Sequence, residues 1–84
     1  MTNKVTLNRG QVDFLNFYLP EYLFKEGANF YTDKEILNIF EQLINLFLKL
    51  GLDCNDEPTK LGLFIEDLTD IFNAVIIEKE IQEQ

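Results

Sequence analysis

Carboxylates are the side chains of this sequence whose spacing best suits chemistry. Glu66 and Asp70 stand four residues apart, so on a helix they share a face, where a carboxylate pair can transfer protons or hold a hard cation. Residues 53–64 have the length of a calcium-binding loop. However, Pro58 stands where that loop requires glycine, and Phe64 replaces its final bidentate acid. We therefore predict no metal site.

Nucleophilic catalysis lacks its usual residues in this chain. There is no His, no Ser and no Trp, and the one cysteine, Cys54, stands among Asp53, Asp56 and Glu57. Neighbouring negative charge disfavours the thiolate, which is the reactive form of cysteine. A single cysteine also cannot build a thiolate zinc site or an intrachain disulfide. We expect a protein that is not an enzyme, has no cofactor and works in a reducing cytoplasm.

The length and composition fit one small folded domain. The 84 residues are 46% hydrophobic and 13% aromatic, which argues against disorder despite a net charge of -8. Polar residues interrupt the most hydrophobic stretch, residues 36–52, and the first ten residues contain no apolar segment. We therefore predict neither a membrane span nor a signal peptide. The expected domain covers residues 1–84, with frayed ends near residues 1–6 and 79–84.

A central helix has the clearest signals. Thr32 and Glu35 have the spacing of a capping box, in which each side chain binds the backbone amide of the other residue. The helix should run over Asp33–Leu50 and end at Gly51 in a left-handed conformation. Its apolar residues cover an arc of about 200°, twice the stripe of an ordinary surface helix. We expect this helix to be covered on two sides.

Two further helices are predicted on either side of the central one. The later helix should begin near Asn55 or Asp56, with Pro58 in its first turn, and end its regular packing near Ile77. In the first third of the chain, apolar residues follow helical spacing over residues 10–25, but Pro20 interrupts this segment. We therefore predict either a kinked helix or two short helices, the second of which begins at Pro20. Since no alternating strand pattern is evident, we predict an all-α fold, a small antiparallel bundle of three main helices.

Nearly all of the net charge lies in the last helix and the loop before it. Residues 1–51 carry six acids and five bases, whereas residues 52–84 carry nine acids and two bases. Projection of the last helix places several of these acids opposite its apolar stripe, without a base three or four residues away. This face either binds a basic protein partner or is simply solvated. Its residues are Glu66, Asp67, Asp70 and Asn73.

Three phenylalanines of the first helix, Phe14, Phe17 and Phe24, lie off its apolar stripe. Either the break at Pro20 and the following loop bury them, or they form an interface patch. Because three helices have difficulty covering so much apolar surface, we expect a homodimer, in which a second copy buries the excess face of the first or central helix.

These observations favour a small acidic interaction protein, such as an adaptor, an inhibitor or a regulatory subunit. It should bind a protein and neither nucleic acid nor a membrane directly, because the chain has no basic stripe. One alternative is a DNA-mimic inhibitor of a nucleic-acid-binding protein, of the phage or mobile-element type that the residue usage also suggests. Another is a carrier of a small apolar ligand, with a cavity lined by Phe40, Phe47, Phe64 and Phe72.

Overall fold

The computed structural model describes residues 2–79 and has an α+β architecture. Its elements are strand β1 (Thr2–Leu7), helix α1 (Arg9–Tyr18), a 3-10 turn (Pro20–Tyr22), strand β2 (Gly27–Thr32), helix α2 (Asp33–Leu50) and helix α3 (Lys60–Lys79). The prediction of an all-α bundle is therefore wrong. The two strands pair antiparallel, with Thr2 opposite Thr32 and Leu7 opposite Gly27. Within the expected frayed end near residues 1–6, residues 2–6 instead belong to β1.

Strand β1 does alternate between buried and exposed positions, but a polar residue hides the pattern. Asn3, Val5 and Leu7 point inward, while the side chains between them are exposed. The buried Asn3 amide donates to the carbonyl of Tyr31 at 3.2 Å and to the carboxylate of Asp33 at 2.7 Å. A buried amide is tolerated when it is hydrogen-bonded in this way, so a strand forms where the sequence shows no apolar alternation.

The first helical segment breaks at Pro20, as one of the two predicted alternatives had it. A capping box between Asn8 and Gln11 starts α1, and the helix ends at Tyr18. Pro20 then opens the 3-10 turn, a position where its missing amide hydrogen costs little. The chain leaves this turn at Leu23, whose φ of 50° lies in the left-handed region, and thereby turns back toward β2.

Helix α2 confirms the predicted capping box and both of its predicted ends. The Glu35 amide donates to the Thr32 hydroxyl at 3.2 Å, and the Thr32 amide donates to the Glu35 carboxylate at 2.8 Å. The predicted left-handed ending at Gly51 is wrong, because its φ is -89°. Glycine is needed there for space: a Cβ on Gly51 would lie 2.9 Å from the Cα of Gly62 in α3.

Helix α3 begins later than the sequence predicted. Thr59 caps it, because its hydroxyl accepts from the amide of Gly62 at 3.0 Å. Pro58 lies before the helix, in an isolated bridge with Leu52, and Asp56 has a φ of 60°, which is not helical. The helix extends to Lys79, two residues past Ile77, where regular packing was expected to stop. The rest of the predicted frayed tail lies outside the described residues.

One hydrophobic core joins the inner face of the sheet to the three helices. α2 and α3 form a helical hairpin that meets most closely at Gly51 and Gly62. The side chains at the centre of the core have no solvent exposure, and they come from all three helices: Leu15, Ile36, Ile39, Leu43, Ile65, Leu68 and Phe72.

Candidate protein-binding surfaces

The acids of α3 lie together on an exposed face, where helical projection placed them. Glu66, Asp67 and Asp70 are exposed, and Asn73 is half-buried at the edge of the face. Within residues 2–79 the one ion pair is Arg9 with Asp13, at 4.0 Å on α1, so none of the three α3 carboxylates has a basic partner in the part of the chain that the structure describes. Their charge is therefore directed at solvent.

Two large apolar side chains lie on the same side of α3 as these acids. Leu63, Asp70 and Ile77 are seven residues apart, so they form one line along the helix. Leu63 is 53% exposed and Ile77 is 68% exposed. We call this surface the outer face of α3; it consists of Leu63, Glu66, Asp67, Asp70 and Ile77. The face combines three negative charges with apolar contacts at both ends.

The three phenylalanines predicted to be either buried or part of an interface patch are separated by the fold. The ring of Phe14 packs edge-on against Phe64 of α3 at 5.3 Å between centroids, and Phe24 is buried 5.5 Å from the ring of Tyr31. Phe17 alone of the three is exposed, at 76%. The proposed aromatic interface therefore reduces to a single side chain.

Asn16 explains why Phe24 turns into the core. Its side-chain amide donates to the Phe24 carbonyl at 2.9 Å, and its side-chain oxygen accepts from the Phe24 backbone amide at 2.8 Å. The Asn16 side chain thus makes the two hydrogen bonds that an adjacent strand would otherwise make to Phe24. Both backbone groups of this buried residue are therefore satisfied. Nothing in the local spacing of Phe14, Phe17 and Phe24 indicates this clamp.

Helix α2 has an apolar strip that the rest of the described chain does not cover. Ile44 is 39% exposed, Leu48 is 62% exposed, and Leu37, seven residues before Ile44, is half-buried. The expectation that α2 is covered on two sides is therefore wrong along this strip. The physical reason is that the sheet and α3 pack against the opposite side of α2, where Ile36, Ile39 and Leu43 are buried. We call Leu37, Ile44 and Leu48 the α2 strip.

A cleft of about 300 Å³ lies between the outer face of the sheet and the end of α3. Its walls are Thr2 and Lys4 of β1, Phe30 of β2, and Val75 and Glu78 of α3. The sequence did not reveal this cleft, because it requires the strands. It is not the cavity predicted for an apolar ligand: Phe72 is fully buried, and the other predicted lining residues, Phe40, Phe47 and Phe64, pack against the core.

Ionisable groups offer little for catalysis in this arrangement. Burial, together with the smaller effect of the negative charge of Glu35, raises the pKa of Tyr31 to about 12. A phenol that stays protonated is not a base at neutral pH. In residues 2–79 no group of three acids or cysteines is placed to hold a metal ion. Cys54 is a free, exposed thiol.

Over residues 2–79, no helix combines the length and the apolar character that crossing a bilayer requires. Comparison with protein-family models, with curated proteins and with solved structures finds no match for this chain.

Proposed function

We propose that this chain is a non-enzymatic, cytoplasmic interaction protein whose outer face of α3 binds a basic, amphipathic segment of a protein partner. The observation that carries the proposal is found on one helix face. Three carboxylates that have no basic partner within residues 2–79 lie there beside two exposed apolar side chains. A basic amphipathic segment presents the matching chemistry, with cations for Glu66, Asp67 and Asp70 and an apolar side for Leu63 and Ile77.

The charge of the rest of the molecule supports the choice of this face. Residues 1–51 sum to -1, from six acids and five bases, while residues 52–84 sum to -7, from nine acids and two bases. Complementary charge steers association and raises the rate at which a basic partner arrives. The aromatic alternative has less support, because Phe14 and Phe24 are packed inside the molecule.

A DNA-mimic inhibitor is a special case of the same idea, in which the basic partner surface normally binds phosphates. A DNA mimic binds such a phosphate-binding surface mainly through charge, so the affinity between the two proteins falls steeply as the salt concentration rises. The exposed Leu63 and Ile77 favour an amphipathic partner, for which part of the affinity remains at high salt. Measuring the salt dependence separates the two.

The test uses a helical peptide composed of Leu and Lys as a defined probe. Neutralising the face by Glu66→Gln, Asp67→Asn and Asp70→Asn together removes three exposed charge contacts. At about 0.3 to 0.5 kcal/mol each, their loss amounts to roughly 1 to 1.5 kcal/mol, or about tenfold in Kd. Isothermal titration calorimetry measures the change directly.

A matched control removes the same amount of charge elsewhere. Glu21→Gln, Glu26→Gln and Glu57→Gln together neutralise three exposed acids outside α3, so this variant has the same net charge as the first. We expect its Kd to stay within about twofold of the unmodified chain. Equal weakening by both triple variants would show that the peptide responds only to net charge, and the proposed face would be wrong.

A further inference from the structure

The exposed residues along the outer side of α3 have the spacing of a helix-pairing seam. They follow one another at intervals of four, three, four and three residues, the spacing that keeps a line of contacts in register along two packed helices. We propose that the partner segment is itself an α-helix that packs along this line, an inference that rests on the proposed function and identifies the kind of partner. We call the line the α3 seam; it consists of Leu63, Asp67, Asp70, Ala74 and Ile77.

The backbone of α3 favours a helical partner over an extended one. An extended segment commonly binds a protein by pairing its backbone amides and carbonyls with an open strand edge. α3 offers no such edge, because the backbone groups inside a helix bond to one another. An extended chain on the α3 seam would therefore gain no backbone hydrogen bonds, whereas a helix already satisfies its own. The partner binds through side chains alone, which are what the seam presents.

The apolar ends of the α3 seam set the length of the partner helix. Leu63 and Ile77 are fourteen residues apart, which is about 21 Å along a helix axis. A helix that contacts both ends therefore needs about fifteen residues, or about four turns. Ala74 is exposed and has the smallest side chain of the seam, so it leaves room for a larger side chain of the partner between Asp70 and Ile77.

Charge defines what the middle of the partner helix carries. Helix α3 has four acids and two bases. Asp67 and Asp70 lie on the seam between its apolar ends, and Glu66 lies beside them, so the centre of this surface is acidic. The complementary helix has bases at its centre and apolar side chains at both ends. The other charged residues of α3 stand in its first and last turns, and they are Lys60, Glu78 and Lys79.

Two Leu-Lys peptides of identical composition test the inference. In the aligned peptide, two Leu residues are spaced like Leu63 and Ile77, and the Lys residues between them stand on the same side of the helix. In the turned peptide, those Lys residues stand on the opposite side. Peptides of this length are only partly helical in water, so the aligned peptide should gain helix on binding, as measured by circular dichroism. Its Kd should be about tenfold lower than that of the turned peptide by isothermal titration calorimetry.

The outcomes separate this inference from the proposed function. Equal Kd values for the two peptides, or binding without a gain of helix, overturn the helical partner. The proposed function survives that result if neutralising Glu66, Asp67 and Asp70 still weakens the binding of both peptides. Absence of binding by both peptides contradicts the proposed function as well.

A substitution in the chain itself tests whether the partner helix packs along the α3 seam. Ala74→Gln places a longer, uncharged side chain at an exposed position, so the net charge and the core are preserved. A helix packed along the seam must then move away, and the aligned peptide should bind at least about fivefold more weakly. The control, Asn45→Gln at an exposed position of α2, should leave the Kd unchanged. A Kd that Ala74→Gln does not alter refutes packing along the seam.

Discussion

Replacing Gly62 with alanine tests the closest contact between α2 and α3. Alanine has the better helix propensity by about 1 kcal/mol, so at an open helix position it would stabilise the fold. At Gly62, however, a Cβ would stand 2.1 Å from the carbonyl oxygen of Gly51, where ordinary contacts begin at 3.4 Å. The obstacle is backbone, which cannot move aside by changing rotamer, so the two helices must separate by about 1.3 Å.

The expected cost follows from three contributions. Overpacking costs about 3 kcal/mol at the upper end of its usual range. Displacing the Gly51 carbonyl also weakens the hydrogen bond that it accepts from the Thr59 amide at 2.8 Å, which costs about 1 kcal/mol. Subtracting the propensity gain leaves a loss of about 3 kcal/mol in the free energy of unfolding.

Urea denaturation of Gly62→Ala measures this loss, and Gly10→Ala is the matched control. Gly10 is also helical, but a Cβ there meets only the Asn8 side chain at 3.6 Å, an ordinary contact. The control should therefore be as stable as the unmodified chain or more stable by up to about 1 kcal/mol. If Gly62→Ala behaved like the control, the close approach of α2 and α3 would be refuted.

Two further substitutions test the sheet and the clamp. Because Tyr31 has a folded pKa of about 12 against 10.0 for a free phenol, its contribution to stability is complete below pH 10 and is lost as the pH rises to 12. The loss is about 2 to 3 kcal/mol, and Tyr31→Phe should remove that pH dependence from urea titrations. A Tyr31→Phe variant with the same loss between pH 10 and 12 would refute the assignment to Tyr31. Asn16→Ala leaves the buried Phe24 amide and carbonyl without their partner and should cost about 3 kcal/mol. Asn16→Asp keeps the acceptor for the Phe24 amide but places a carboxylate oxygen against the Phe24 carbonyl, so it should also be destabilised. An alanine variant of unchanged stability would contradict the clamp.

Local interactions account for what the sequence predicted correctly. The start of α2 is fixed by Thr32 and Glu35, which stand three residues apart and bond only to each other's backbone. The acids of α3 lie on one face because their spacing alone decides their direction on a helix. Such features do not depend on distant parts of the chain, so the sequence contains them.

The missed features depend on contacts between residues far apart in the chain. The sequence does not indicate β1, because Asn3 fills an inward position and finds its partners about 30 residues later, at Tyr31 and Asp33. At Gly51 the sequence predicts a left-handed conformation, whereas the small size of this residue serves the contact with Gly62. The sequence leaves open whether Phe24 is buried or part of an interface patch, because the turn that buries it is held by a side chain of α1. The exposed α2 strip likewise became apparent only once the packing partners of α2 were known.

Hydrogen bonds hold the loop between α2 and α3 both at its ends and within its tip. The Thr59 amide donates to the Gly51 carbonyl at 2.8 Å, and the Asp53 carboxylate accepts from the Asn55 amide at 2.8 Å. Residues inserted after the exposed Cys54 would interrupt the Asp53–Asn55 hydrogen bond but leave the base of the loop closed between Gly51 and Thr59. The added loop length costs about 0.6 kcal/mol for each doubling. This tip is a natural place for an epitope tag, and its single thiol accepts a fluorophore, so partner binding and self-association can both be followed without altering either surface.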